Sequence, residues 1–522
     1  MSKLRWGIIS TGAIAHKFAR GVLRSQTGEL AAVASRTESK ARDFAKAYGI
    51  AQAHGSYDAL LADPAVDAVY IATPHPQHRE WTLRAAQAKK HILCEKPLGL
   101  HYDEAVEMLQ AAWENNVFFM EAYMYRCHPQ IARMLDLLRA GVIGDVRAIT
   151  ARFGCCAEYN LESRLFNRTL GGGGILDIGG YCTSMARLVA GAAQGVVIEP
   201  QRVFGAGEIG PESGVDEYAA ALLLFPGGIT ATLSCGLQVQ QENKVRIEGT
   251  GGSLTLPVPW TPNVDGGEAQ IIVEKNGQKP EIITVTSAPL YALEADLVAR
   301  HIAQGHREAA WPAMTWADTL GNIRAQDQWR RAMDATGPSF AEPPGEKAAP
   351  VFISSWEQRF STLFHNAVEK YRQGHQKAAG LLDEIGLNFL TSIGHTEQEF
   401  FDFVEDFVKY GEPSVETALK IASVRRDYFL KEQNGVRSPH RIVMDALPAK
   451  DAEIDGIAWL PRLIPKAEAK LRGEMPPDLM FCCGGDRKFF SAHHIDAAEF
   501  LRKVWSARGN HAEIVAWVKA RA

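Results

Sequence analysis

Five short apolar runs alternate with five amphipathic stretches along the first 120 residues, and a doubly wound parallel sheet is the arrangement that buries such a pattern. The runs at residues 4–10, 30–35, 68–73, 91–94 and 117–121 are predicted strands, and 14–24, 40–48, 57–62, 78–88 and 102–115 are predicted helices. From about residue 145 the pattern changes. Strand-like runs at 146–153, 217–225, 229–236, 243–249, 252–256 and 269–275 follow one another, parted by turn signals such as Phe225-Pro-Gly-Gly228. They predict an α+β domain with a large, mostly antiparallel sheet, closed by helices at 291–304 and 316–335.

Residues 337–350 hold four prolines and little apolar content, which reads as a linker. Beyond it the chain is mainly helical, at 356–372, 396–410, 415–431, 460–472 and 497–504. At a shift of 100 residues Leu363, Ala367, Lys370, Arg372, Phe389, Glu399, Phe400 and Val404 meet Leu463, Ala467, Lys470, Arg472, Phe489, Glu499, Phe500 and Val504. Phe360 and Leu460 also correspond. An internal duplication is expected. The predicted division is 1–122, a dinucleotide-binding domain; 123–336, a substrate and oligomerisation domain whose last helix packs back on the first; 337–350, the linker; and helical repeats at 351–435 and 436–522.

A net charge of −5 over 522 residues demands no basic face, so a nucleic-acid partner is not expected. The eight cysteines form no C-x-x-C pair, and reduced thiols in a cytoplasmic protein are the simplest reading. No secretory leader is read at the start, and no apolar stretch is long enough to span a bilayer.

The first run turns into its helix through Ser10, Thr11, Gly12, Ala13 and Ile14. A strand passing into a helix N-terminus offers unpaired N–H groups and the positive end of the helix dipole to a pyrophosphate. The glycine fingerprint is degenerate, with Ser10 and Ala15 at its outer positions and only Gly12 kept. The second run ends in Ser35-Arg36, with Lys40 one turn on. An acid there would bind a ribose 2′-hydroxyl, whereas hydroxyl and basic groups suit a 2′-phosphate, so NADP(H) is expected over NAD(H). After the third run come Thr73, Pro74, His75 and His78. Prolines crowd the two histidines and no acid or cysteine is adjacent, so a loop over the cofactor is expected and a metal is not. Glu95 and Lys96 close the fourth run, at the carboxyl edge where such sheets bind ligands, and Pro97 fixes the chain there.

Glu95-Lys96-Pro97, Met120-Glu-Ala-Tyr-Met-Tyr-Arg-Cys-His-Pro129 and Leu170-Gly-Gly-Gly-Gly-Ile-Leu-Asp177-Ile-Gly-Gly-Tyr181 occur in this order. In these motifs the chain resembles the glucose–fructose oxidoreductase, inositol dehydrogenase and rhizopine-catabolism (Gfo/Idh/MocA) family, over roughly residues 3–335. Tyr181, where other branches use histidine, and Thr315-Trp-Ala-Asp-Thr-Leu-Gly-Asn322 are similar to its dihydrodiol and NADP-dependent xylose dehydrogenase branch. The resemblance implies a Rossmann-type domain and hydride transfer between NADP and a cyclic sugar, polyol or trans-diol hydroxyl. It also implies a dimer through the open sheet face. Such chemistry needs a base for the hydroxyl proton. Tyr181 can serve if a neighbouring ammonium, Lys96, lowers its pKa, and either residue could take the proton. Asp177, four residues before Tyr181, would bind a substrate hydroxyl or orient Lys96. Arg126, His128 and Tyr291 are candidate substrate contacts.

Two other readings of the same motifs are a glycoside-cleaving enzyme with tightly held nucleotide and a non-catalytic sugar sensor. Retention of Lys96, Asp177 and Tyr181 together argues against the sensor. Residues 455–518, with Leu460-Pro-Arg-Leu-Ile-Pro-Lys466 and Arg487-Lys-Phe-Phe490, resemble a bacterial domain family of unassigned function, read here as an interaction or substrate-channelling module. Within it, Cys482-Cys483-Gly-Gly-Asp486 is expected to be a half-buried loop, since adjacent cysteines neither pair well nor clamp a metal.

Overall fold

The computed structural model describes residues 3–194, 197–334 and 356–521, in two compact units. The expected linker at 337–350 lies outside the described residues.

The first unit opens with β1 (Leu4–Ile9), α1 (Ala13–Val22), β2 (Gly28–Ala34), α2 (Glu38–Tyr48), β3 (Gln52–His54), α3 (Tyr57–Leu61), β4 (Ala68–Ile71), α4 (His78–Gln87), β5 (His91–Glu95), α5 (Tyr102–Glu114) and β6 (Phe119–Ala122). The strands form one sheet in the order β3-β2-β1-β4-β5-β6, parallel throughout. The order reverses between β1 and β4, so the crevice at their carboxyl ends is the ligand position of a doubly wound sheet. All ten elements read from the sequence are present. The missed one, β3, is three residues long and lies at the edge, too short to show a period.

There follow α6 (Pro129–Arg139), β7 (Val146–Gly154), α7 (Gly180–Ala190), β8 (Arg202–Ile209), β9 (Asp216–Phe225), β10 (Ile229–Gly236), β11 (Val245–Gly249), β12 (Gly252–Leu256), β13 (Gly267–Lys275), β14 (Glu281–Ser287), α8 (Leu290–Ala303) and α9 (Trp316–Asp334). The strands make an eight-stranded sheet, β14-β13-β12-β11-β7-β10-β9-β8, antiparallel except where β10 runs beside β7. Its two edge strands, β8 and β14, were not legible. Both are largely exposed, so neither carries a strong apolar alternation. Nor was α7, which is buried on every side and so has no polar face to mark its period. Helix α9 ties the sheets together. Trp316 Nε1 donates to Phe119 O of β6 at 3.0 Å, and Trp329 Nε1 donates to Ala220 O of β9 at 3.0 Å. One apolar core fills the space between one face of the parallel sheet and the inner face of the larger sheet, and a second covers the other face of the parallel sheet.

The second unit is helical: α10 (Trp356–Arg372), α11 (Glu384–Ser392), α12 (Glu397–Tyr410), α13 (Val415–Lys431), α14 (Leu460–Arg472), α15 (Gly484–Ala492), α16 (Ala497–Ala507) and α17 (His511–Lys519), with a small hairpin of β15 (Glu453–Ile454) and β16 (Ile457–Ala458). Helices α11 and α15 start and end 100 residues apart, α12 and α16 start 100 apart, and α10 and α14 end 100 apart. Phe360, Ala367, Phe389, Phe400 and Val404 and their counterparts Leu460, Ala467, Phe489, Phe500 and Val504 all enter a single core. Glu399 of α12 and Lys470 of α14 are both buried and meet at 2.9 Å, so the central ion pair takes one partner from each half.

Candidate active site

The nucleotide end begins where β1 stops. Ser10 has φ 97°, a left-handed conformation that costs a non-glycine residue about 1–3 kcal/mol. It occupies the place where the fingerprint has its first glycine, so the turn keeps the shape while the sequence loses the residue. Gly12 precedes α1, and a Cβ there would have only Ser10 Oγ within 4 Å, at 3.7 Å. The N–H groups of Ala13, Ile14 and Ala15 therefore face open space at the positive end of α1. Ser35 is buried at the end of β2, and Arg36 and Lys40 are exposed beyond it. The Tyr57 phenol lies near both Ser10 and Arg36, which places Arg36 beside the turn. Thr73 Oγ1 is buried without a partner at the end of β4. An open cradle and an orphaned hydroxyl in one crevice fit a nicotinamide dinucleotide.

Next along the edge, the Lys96–Pro97 bond is cis. His78 is fully buried and bridges Pro97 O at 2.9 Å and Thr73 O at 2.8 Å. Burial pushes its imidazole down to about 4, so at neutral pH the ring donates to only one of them. Expected in a loop over the cofactor, His78 instead ties the end of β4 to the backbone beside Lys96. Glu95 is buried, hydrogen-bonded by the Tyr70 hydroxyl, and burial raises its carboxyl.

Lys96 Nζ donates to Asp177 O at 2.6 Å and to Asp177 Oδ1 at 3.3 Å. Two of its three hydrogens are thereby used, leaving one for a ligand. Asp177 lies in a π-helical turn, Ile175–Gly179, that leads into α7; such turns recur at functional sites. The glycine run makes the turn possible. Gly173 has φ 115°, and a Cβ on it would stand 2.2 Å from Asp216 Oδ1. Asp216 Oδ2 in turn accepts from Ile175 N–H at 2.6 Å. Burial alone would raise the Asp177 carboxyl, but Lys96 and Arg164 bring it far below the usual carboxylate range.

Arg164, in the segment between β7 and the glycine run, reaches Asp177 Oδ1 at 2.7 Å and lies 3.5 Å from His75 Nε2. The opposite ring nitrogen of His75 meets Gly171 O at 3.1 Å, and burial pushes this imidazole down to about 3. Arg164 and Asp216 escaped sequence reasoning. Neither lies in a motif, and no periodic signal marks the segment that carries Arg164.

Tyr181 is 4% exposed, and its ring packs edge-on against Tyr123 and Phe153. Lys96 Nζ stands 5.1 Å from the ring centroid, while the hydroxyl points to Met124 Sδ at 3.5 Å. The expected lowering of the phenol is corrected. Burial first, then the charges of Glu95 and Asp177, raises it well above the ordinary tyrosine value.

Two of the three candidate substrate contacts, Arg126 and His128, go elsewhere. Arg126 is buried, donating to Ser184 Oγ at 2.8 Å and to Asp318 Oδ2 at 2.6 Å. His128 caps α6 by accepting from Gln130 N–H at 3.0 Å and contacts Ser287 Oγ at 2.7 Å. Tyr291 is buried against α1, where a Cβ on Gly21 would lie 2.4 Å from its own Cβ. Arg126 and His128 resembled site residues by following β6, but their side chains are consumed in packing, whereas the buried Tyr291 phenol lies near enough to Glu95 and Tyr181 to interact with both. Asp318 also holds Arg187 Nη1 at 2.6 Å, so Asp318→Ala will leave the buried Arg126 without a carboxylate, while Arg187 keeps Glu199. A loss of about 3–5 kcal/mol is expected, read as a lower urea midpoint; an unchanged midpoint would refute a structural role for Arg126.

A parallel sheet of this order with an open phosphate cradle and an edge lysine defines an NAD(P)-binding oxidoreductase. Comparison with known proteins agrees. Residues 4–123 match the model of an oxidoreductase family with an NAD-binding Rossmann fold, and residues 131–255 match the GFO/IDH/MocA C-terminal domain. The chain belongs to the Gfo/Idh/MocA family. An uncharacterized oxidoreductase of Rhizobium meliloti is 38% identical over 313 residues, 58% of this chain and 90% of that protein. Trans-1,2-dihydrobenzene-1,2-diol dehydrogenase of Mus musculus is 33% identical over 340 residues, 64% of this chain and 98% of that protein. A 3-ketoreductase from Actinomadura kijaniata, crystallised with NADP and TDP-benzene, superposes with a TM-score of 0.57 at 28% identity, covering 64% of this chain and 98% of that one. An aldose–aldose oxidoreductase from Caulobacter crescentus does so with a TM-score of 0.57 at 26% identity, covering 63% and 97%. Residues 446–522 match a domain of unknown function, DUF5069. Among the described residues no helix is long and apolar enough to cross a membrane, and no group of metal-ligating side chains forms.

Proposed function

We propose that the first unit transfers a hydride between NADP(H) and a ring hydroxyl of a sugar, polyol or trans-diol, with Lys96 and Tyr181 handling the proton. The observation that carries this reading is the Lys96–Asp177–Arg164 constellation at the carboxyl edge of β5, beside the phosphate cradle and Tyr181. Gly12 and the first turn of α1 would hold the pyrophosphate, Arg36 and Lys40 the 2′-phosphate, and Thr73 to His75 the inner end of the nucleotide. NADP(H), when bound, supplies or accepts the hydride. Asp177, itself held by Arg164, fixes Lys96 through two hydrogen bonds, so the remaining hydrogen of Lys96 can meet a substrate oxygen. The neutral Tyr181 phenol is suited to give a proton to a carbonyl being reduced. Relatives named as a dihydrodiol dehydrogenase, a 3-ketoreductase and an aldose–aldose oxidoreductase favour this substrate class.

A screen of NADP⁺ reduction across aldoses, inositols and cyclic diols tests the reading. Turnover with one class supports it. Nucleotide that survives purification, with substrate cleaved and no net NADPH formed, would overturn it in favour of glycoside cleavage.

The preference for NADP(H) rests on Arg36. Arg36→Ala should raise the KM for NADP⁺ about 10- to 100-fold, the worth of a charge-assisted contact, while kcat and NAD⁺ kinetics change little. Equal losses with both nucleotides would place Arg36 elsewhere.

Two copies would pair through the open sheet face, where Phe204 and Leu222, cross-strand partners on β8 and β9, are both exposed. We divide the first unit at 1–122 and 123–336 and read the second as two helical repeats. We read the second unit as a module for interaction or substrate handling, appended to an enzyme that its relatives complete without it, in a cytoplasmic protein.

A further inference from the structure

The second unit contains a cavity of about 1180 Å³ at the junction of its two halves. One wall is α12, with Gln398, Asp402 and Glu405; the other is α14 and the start of α15, with Lys466, Cys483 and Gly484. The chemistry lies on the second wall. Lys466 is 1% exposed, and its Nζ donates to Cys483 Sγ at 3.4 Å and to Asp486 Oδ2 at 2.6 Å. Asp486 is itself fixed, accepting from Trp459 Nε1 at 3.0 Å and from Cys482 N–H at 2.9 Å.

The first half of the unit shows what this wall has become. At a shift of 100 residues Lys466, Cys483 and Asp486 stand where Asn366, Asp383 and Gly386 stand. Asp383 caps α11 in the ordinary way, accepting from Gly386 N–H at 2.8 Å. Cys483 precedes α15 at the same position and makes no such bond. The N–H groups of Gly484 and Gly485 have no protein acceptor among the described residues, and a Cβ on Gly484 would meet nothing nearer than Arg487 Nη2 at 3.9 Å. A cap worth about 1 kcal/mol has been exchanged for a thiol, an ammonium and two open amides facing one cavity. On the opposite wall Gln398 Nε2 donates to Asp402 Oδ1 at 2.7 Å, and burial pushes the Asp402 carboxyl up to about 7.

We propose that this cavity is a second reactive site, in which Cys483 adds reversibly to the carbonyl carbon of a small polar aldehyde or ketone. The sulfur lone pair forms the C–S bond and the carbonyl π pair moves to oxygen. Lys466 gives one proton to that oxygen and takes the thiol proton in its place, ending as the ammonium it began as. One S–H is added across one C=O, and no oxidant or reductant is needed. Gly484 and Gly485 N–H would hold the oxygen as its charge develops, an arrangement that serves acyl and carbonyl addition generally. Cationic and acidic side chains line the cavity in nearly equal number, so its field does not select an anion. A neutral, hydroxyl-rich electrophile fits better.

The test uses the full-length protein. Alkylation of each of the eight cysteines by iodoacetamide is followed by peptide mass spectrometry, with exposed Cys156 as the internal reference. Cys483 should react about 10-fold or more faster than Cys156 at neutral pH. Glyceraldehyde should protect Cys483 selectively, whereas glycerol and inorganic phosphate should not. Lys466→Met should abolish the advantage. Because that change strands Asp486, Lys466→Met combined with Asp486→Asn removes both charges and should behave alike. A Cys483 no faster than Cys156, protection by phosphate or glycerol as strong as by glyceraldehyde, or an undiminished rate in a folded Lys466 variant would each overturn the proposal.

Discussion

Lys96→Met will lower kcat by about 10³-fold or more while NADP(H) still binds within a few-fold of wild type. The size follows from how many tasks meet on one ammonium. Nζ is held by Asp177 O and Asp177 Oδ1, its third hydrogen is available to the substrate, and it stands over the Tyr181 ring. Methionine fills a similar volume but donates no hydrogen bond and bears no charge. Asp177 keeps Arg164 as a partner at 2.7 Å, so its carboxylate is not left unpaired and the fold should survive. The nucleotide contacts proposed at Gly12 and Arg36 come from other strands. Steady-state kinetics on the best substrate gives the rate, and titration of NADPH fluorescence gives the binding. A variant with near-normal kcat would remove Lys96 from the chemistry. A variant that also lost NADPH would make it a cofactor contact instead.

The parallel sheet was legible because its central strands are buried on both faces and its helices on one, which are the two patterns periodicity reads. Edge strands β8 and β14 and the wholly buried α7 show neither pattern. The site divides on the same line. Lys96 and Asp177 belong to short local motifs, and the structure brings them together across 81 residues. Arg164 reaches the same carboxylate from a segment with no period or motif. Ser10 shows a different limit: its left-handed φ preserves the glycine turn without the glycine, so the fingerprint weakened while the geometry stayed. Arg126 and His128 fail in the opposite sense. Position after a strand put them near the edge, but position does not say where a side chain points, and a buried aspartate at 318 claimed the first of them.

Tyr181→Phe separates the two proton-transfer roles, because the structure changed what the tyrosine can be. By sequence, Tyr181 could serve as a base if Lys96 lowered its pKa, and either residue could take the proton. In the structure its hydroxyl faces Met124 Sδ, and burial together with Glu95 and Asp177 raises the phenol. A raised phenol is protonated at neutral pH and remains so above the ordinary tyrosine value. Its contribution as an acid is therefore fully present through the neutral range and is lost only as pH rises past that raised value. The expected result for carbonyl reduction is a wild-type rate flat in Tyr181 ionisation through neutrality, falling on the far alkaline side. Phenylalanine should remove that alkaline limb and lower kcat by about 10²–10⁴-fold, with KM and NADPH binding little changed. If the wild-type profile instead shows a Tyr181-dependent group titrating near neutrality, the phenol must turn toward Lys96 when substrate enters, and Tyr181 would again be the base. If phenylalanine costs less than about 10-fold at every pH, the proton passes through Lys96 alone, and Tyr181 is a wall of the site.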